Sequence, residues 1–72
     1  MAINYAYNYA EIDLTTGMCI GVSTTSSPNP VSEEFIPIPV FDEEYILKYY
    51  NFDDGKFYYD VEYTREYISP LL

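Results

Sequence analysis

The chain has no histidine and no tryptophan, and of its 72 residues one is cysteine, three are glycine and three are basic. Each shortage closes a route. A single cysteine, Cys19, forms no disulfide within the chain, and without histidine the usual Cys/His zinc site cannot be assembled. Nothing of imidazole type is present to activate a thiol, so Cys19, set in an apolar stretch, reads as a small core residue. Lys48, Lys56 and Arg65 face twelve acidic residues, for a net charge of −9. That balance argues against direct contact with nucleic-acid phosphates or an anionic membrane surface. No apolar run reaches membrane-spanning length. Residues 1–12 have neither a basic start nor an apolar core, so no secretory leader is expected. The lone cysteine suits a reducing compartment.

What the chain has in quantity is aromatic surface: ten tyrosines and four phenylalanines. Seventy-two residues make one domain, 1–72, and a chain of this size buries only roughly 60% of its unfolded surface. Small scaffolds usually rely on a disulfide, a metal or a partner subunit. With the first two excluded or disfavoured, the remaining stabilisers are large aromatic side chains and self-association.

The organising stretch is residues 45–63. Two runs rich in aromatic and β-branched residues flank a polar turn ending in Gly55, a hairpin pattern. Residues 3–13 alternate, with Tyr5, Tyr7 and Tyr9 on one face and Ala6, Ala10 and Ile12 on the other, as in a strand. Residues 13–17 read as a turn: Asp13 accepts from amides two or three residues on, and Gly17 takes positive φ. Residues 18–23 return as a second strand, with Met18, Ile20 and Val22 on one face and Gly21 marking a bulge or a close backbone approach. Residues 24–32 are rich in Ser, Thr, Asn and Pro and are expected to form a mobile loop. Pro37 and Pro39 each remove a ladder donor, so residues 33–40 are expected as an edge strand or a polyproline-like segment, not a central strand.

Asp42 caps a helical turn opened by Glu43 and Glu44. One short turn is expected, followed by a strand over residues 47–51; a two- to three-turn helix over residues 42–50 is the alternative. Residues 56–63 form the clearest strand, with Phe57, Tyr59, Val61 and Tyr63 facing one way. Residues 64–72 form an apolar tail packed on the core or on a neighbouring subunit. Asp13 to Gly17 and Asn51 to Gly55 share a pattern: Asx, an apolar residue, two small polar or acidic residues, then Gly. Duplication or common turn chemistry accounts for it. The fold class is mainly β: two antiparallel hairpins joined by a proline-rich crossover, as a small sheet or an open barrel.

Catalysis finds little footing. Asp13, Asp53, Asp54 and Asp60 are the carboxylates that could pair, but paired acid–base chemistry needs a cleft that so short a chain scarcely forms alone. An ion held by Asn51, Asp53 and Asp54 lacks the EF-hand spacing. No enzyme activity and no cofactor are expected. The tyrosines are more informative: the ring buries area while the hydroxyl finds a partner, which suits interfaces. The plainer reading is that they cover the edges of the core. The acidic runs at 33–34 and 42–44 either form a solvated rim or bracket a contact surface and attract a basic partner. The candidate partner-binding residues are Tyr5, Tyr7, Tyr9, Glu43, Glu44, Tyr49, Tyr58, Asp60 and Glu62. The expected partners are a basic protein and further copies of the chain.

Residues 36–39 (Ile-Pro-Ile-Pro), 45–50 (Tyr-Ile-Leu-Lys-Tyr-Tyr), 54–58 (Asp-Gly-Lys-Phe-Tyr) and 60–64 (Asp-Val-Glu-Tyr-Thr), with 9–13, 16–17 and 20–22, resemble short proteins and terminal segments from the tail modules of bacteriophages of Gram-positive hosts. The resemblance implies a viral, non-enzymatic, oligomeric β protein located in the virion or the host cytoplasm, and carries no catalytic residues. In size and acidity the chain also resembles anti-CRISPR proteins, which implies an inhibitor that occupies a basic nucleic-acid site of a host defence enzyme.

Overall fold

The structure, a computed structural model, describes residues 7–28 and 32–72. Among the described residues six strands form in chain order: β1 (Tyr7–Ile12), β2 (Cys19–Thr25), β3 (Phe35–Ile38), β4 (Tyr49–Asn51), β5 (Lys56–Tyr58) and β6 (Glu66–Tyr67), with a single 3₁₀ turn at Glu43–Tyr45. They make two antiparallel three-stranded sheets, ordered β2-β1-β3 and β4-β5-β6. The mainly β reading of the sequence therefore holds, as do the two hairpins and the single helical turn.

The two hairpin turns are the same device used twice. The Thr15 N–H donates to Asp13 Oδ1 at 2.9 Å, and the Asp53 N–H donates to Asn51 Oδ1 at 2.8 Å. The Gly17 N–H reaches the Asp13 carbonyl at 2.7 Å, and the Gly55 N–H reaches the Asn51 carbonyl at 2.9 Å. Both glycines are left-handed, with φ of 79° and 72°, a region that costs other residues roughly 1–2 kcal/mol.

β3 is an edge strand despite its proline. The Ile12 N–H bonds the Glu34 carbonyl at 2.7 Å, and the register continues with Ala10 opposite Ile36 and Asn8 opposite Ile38. In an antiparallel pair alternate residues turn their peptide groups to the partner. Phe35 and Pro37 therefore turn theirs away from β1, and the N–H that proline lacks would have pointed outward. The free edge of β3 is blunted at no cost to its ladder.

The sheets meet along a seam. Met18 and Tyr49 form an isolated antiparallel bridge. Around it the Cys19 N–H donates to the Lys48 carbonyl (2.7 Å), the Leu47 N–H to the Cys19 carbonyl (2.8 Å) and the Tyr50 N–H to the Gly17 carbonyl (2.9 Å). The strands thus run β3-β1-β2, seam, β4-β5-β6, with β3 and β6 at the two ends. The arrangement is not a closed barrel. One core spans both sheets: Ala10, Ile12, Cys19, Ile38, Tyr45, Phe57 and Tyr67 are buried together, with Val22, Ile36, Ile46 and Tyr50 packed against them. Each large side chain fully buried contributes about 1.5–3 kcal/mol.

Five expectations are corrected. Along β1–β2 the register slips between Glu11 and Ile12, so that Glu11 faces Gly21 and Ile12 faces Cys19. Ile20 is the extra residue and is exposed, so Met18, Ile20 and Val22 do not share a buried face. The strand expected over 47–51 begins only at Tyr49, because Leu47 takes a left-handed φ of 75° as the chain leaves the 3₁₀ turn. The strand expected over 56–63 stops at Tyr58, where a turn begins. The segment 64–72 is not merely a tail: it supplies β6, which pairs with β5, and it buries Tyr67 and Ser69. Of the loop expected over 24–32, residues 24 and 25 belong to β2, and residues 29–31 lie outside the described residues.

Candidate binding surface

Register sorts the aromatic residues of the second sheet onto two faces. Tyr50 pairs with Phe57, and Phe57 with Tyr67; Tyr49 pairs with Tyr58, and Tyr58 with Glu66. Tyr50, Phe57 and Tyr67 turn toward the core. Tyr45 closes on them, its ring 4.7 Å from Phe57 and 5.2 Å from Tyr67. Tyr49, Tyr58 and Glu66 form the outer row.

Of the residues proposed from the sequence, Tyr5 lies outside the described residues. Tyr7 is exposed at the start of β1. Tyr9 shares its face of the strand, but β1 is the central strand, so Tyr9 lies between Ser23 and Pro37 and is only 7% exposed. Its ring is spent within the chain. Tyr49 and Tyr58 come together as direct cross-strand neighbours, both half-buried. The Tyr58 hydroxyl donates to Asp54 Oδ2, and that bond pushes its phenol up to about 12. Tyr63 stacks beside Tyr58 at 5.3 Å. Asp60 proves to be a turn cap: its carboxylate accepts from the Thr64 and Arg65 N–H groups, at 3.0 and 3.1 Å, and from the Thr64 hydroxyl. These bonds hold it below its ordinary value, the Thr64 hydroxyl foremost. Glu62 is exposed in the same turn, and Glu43 and Glu44 are exposed on the 3₁₀ turn, away from the Tyr49–Tyr58 pair in sequence. Asn51 and Asp54 oxygens serve the hairpin itself, with Asp54 Oδ1 accepting from the Lys56 N–H at 2.9 Å. Among the described residues no group of three or more metal-ligating side chains gathers.

Sequence reasoning missed three features. The first is a buried clamp: the Tyr67 hydroxyl donates to Asp42 Oδ2 at 2.5 Å across 25 positions, while the Glu44 N–H donates to Oδ1 at 2.9 Å. Burial works to raise the Asp42 carboxyl, but the Ser69 and Tyr67 hydroxyls and the Glu44 N–H outweigh it and hold it below its ordinary value. Burial, then the same bond, pushes the Tyr67 phenol well above its usual range. The second is where the cations go. Lys48 Nζ lies 4.8 Å from the Tyr67 ring and 5.0 Å from the Tyr59 ring, and the Arg65 guanidinium lies 4.4 Å from Tyr59. Two of the three basic side chains are thereby held against aromatic faces.

The third is a groove of about 330 Å³ between β3 and β6. Tyr50, Phe57 and Tyr67 line it from the second sheet, Tyr45 from the 3₁₀ turn, and Ile36 to Ile38 from β3 with Pro39 just beyond it; Ile68, Leu72, Lys56 and Glu66 line it as well. Successive strand residues point to opposite faces, so a groove touching Ile36, Pro37 and Ile38 in succession runs along the free edge of β3. The apolar alternation at 36–39 and the apolar ending at Ile68, Leu71 and Leu72 were the available signals, but nothing local joins them. Cys19 is fully buried, its Sγ 3.2 Å from the Gly21 carbonyl, and burial raises the thiol. This environment suits packing rather than nucleophilic attack. Comparison of the chain with protein-family models, curated proteins and solved structures finds no match.

Proposed function

We propose that the chain is a phage-encoded, non-catalytic protein-binding or assembly protein that meets its partners through an acidic, tyrosine-rich surface. The observation that carries this reading is the amount of apolar surface left uncovered on so small a fold. Ile68 and Leu72 are 65% and 68% exposed. Tyr7, Tyr59, Val61 and Tyr63 are exposed as well. They stand on a chain of net charge −9. Apolar surface rimmed by like charge marks a contact site for a macromolecule of opposite sign. The partner is a basic protein, and copies of the chain assemble with it in the host cytoplasm or the virion.

A second reading has its own support. With Lys48 and Arg65 held on tyrosine rings, the exposed carboxylates are weakly countered, as inhibition of a host defence enzyme at its basic nucleic-acid site would require. Tagged chain recovered from infected host cells tests both readings. Tyr7→Ala and Tyr59→Ala should reduce the recovered partner or the assembled state, read by light scattering, more than Cys19→Ser does. Equal losses in all three would refute the tyrosine surface. Recovery of a defence nuclease, released steeply by salt, would select the second reading.

A further inference from the structure

We propose that the groove between β3 and β6 receives an extended segment of the basic partner, in which apolar residues alternate with arginine or lysine. The proposal rests on the protein-binding reading above and specifies its ligand. Three independent features converge on this chemistry. The groove lies where a barrel of these six strands would close, between the two end strands. Its walls differ. On β6, the Tyr59 N–H bonds the Arg65 carbonyl at 2.8 Å and Phe57 pairs with Tyr67. By alternation the peptide groups of Glu66 point away from β5, offering both a donor and an acceptor to an added strand. On β3, Phe35 and Pro37 point outward, and Pro37 offers a carbonyl only. An incoming strand therefore pairs with β6, while the β3 wall accepts donors, which arginine supplies in excess.

The floor sets the second requirement. Tyr50, Phe57 and Tyr67 form an aromatic row that runs across the strands, and Ile36, Ile38, Ile68 and Leu72 line the groove on either side of it, so the inward-facing residues of an added strand, every second one, meet apolar surface and the residues between point away. Charge sets the third. Glu66 stands on the rim, Asp53 and Asp54 are exposed beside Gly55, and the whole chain carries −9. A second copy of the chain would bring nine more negative charges, so the occupant is cationic instead. Lys56 is the one basic lining residue, and it should weaken the fit.

The test uses three synthetic peptides with the intact chain. One has the core Arg-Ile-Arg-Phe-Arg, one replaces Ile and Phe by Ser, and one replaces Arg by Glu. Titration calorimetry should give the first peptide at least about tenfold tighter binding than the second, the scale of one well-buried apolar side chain. The third should not bind. In ¹H–¹⁵N spectra the Glu66 amide should shift and gain protection from exchange. Leu72→Ser, at an exposed site that leaves the fold intact, should weaken the first peptide several-fold, and Lys56→Glu should strengthen it. Equal binding of the first two peptides would overturn the groove while leaving an acidic binding surface in place. Failure of all three to bind would overturn the groove as a basic-peptide site, and so would self-association abolished by Leu72→Ser.

Discussion

Tyr67→Phe isolates a single hydroxyl and should be costly. The ring, 7% exposed, keeps its packing against Tyr45 and Tyr59. What disappears is the donor to the Asp42 carboxylate, itself only 5% exposed. A hydrogen bond to a charged group is worth about 1.5–3 kcal/mol. At roughly 0.05–0.15 kcal/mol per residue a chain of this length is stable by only about 4–11 kcal/mol, so the loss is a large fraction of the total. Urea unfolding at neutral pH reads it directly, and pH dependence identifies its origin. The folded pKa of Asp42 is depressed, so its contribution is present above the unfolded carboxylate value, about 3.9, and fades as pH falls through the folded value. The deficit of the variant should therefore shrink in acid. The folded pKa of Tyr67 is raised. Wild-type stability should therefore fall as pH rises past the ordinary phenol value of about 10, and this limb should be weaker in the variant. A deficit below about 0.5 kcal/mol, within the range of a neutral surface change, would refute the clamp, as would one that does not vary between neutral and acid pH.

Gly17→Ala and Gly55→Ala should each cost about 1–2 kcal/mol in urea unfolding, from the left-handed backbone alone, since no atom crowds either added methyl; Asn should be better tolerated than Ala at both sites. Asp54→Asn should bring the Tyr58 phenol down from about 12, followed by NMR titration of the tyrosine ring carbons; an unmoved phenol would refute the assigned bond. Asp60→Ala should lower the urea midpoint measurably through loss of the turn cap, whereas Glu62→Ala, exposed two residues on, should leave it nearly unchanged.

Features encoded within a few residues were legible in the sequence. The paired Asx–Gly turns, the Asp42 cap and the edge position of residues 35–38 each follow from backbone chemistry that a short window contains. Residues 56–63 show where such a window misleads. Phe57, Tyr59, Val61 and Tyr63 keep a period of two, yet Asp60 bonds forward to Thr64 and Arg65, and Tyr63 takes a left-handed φ of 59°. The cap outcompetes the alternation, and only then does β6 fold back on β5. The bulge at Ile20 lies beside Gly21, the residue that marked it in the sequence, but which residue is the extra one was not legible, because a bulge leaves no further compositional mark. Period placed Tyr7 and Tyr9 on one face of a strand, but the burial of Tyr9 depends on both of its neighbouring strands. The groove unites residues 36–39 with residues 66–72, and no local pattern can report a meeting of segments so far apart.

The twin turns carry a kinetic consequence. Each closes its hairpin over a few residues, where the entropic cost of joining the ends is small, and isolated hairpins zip up in about 1–10 μs. Neither hairpin needs the other to begin. The slower event is the mating of Gly17 and Cys19 with Tyr50 and Lys48 along the seam, which must wait for two preformed halves to find each other. The rate of acquiring the native state should therefore respond to substitutions along that line more than to changes at either hairpin tip.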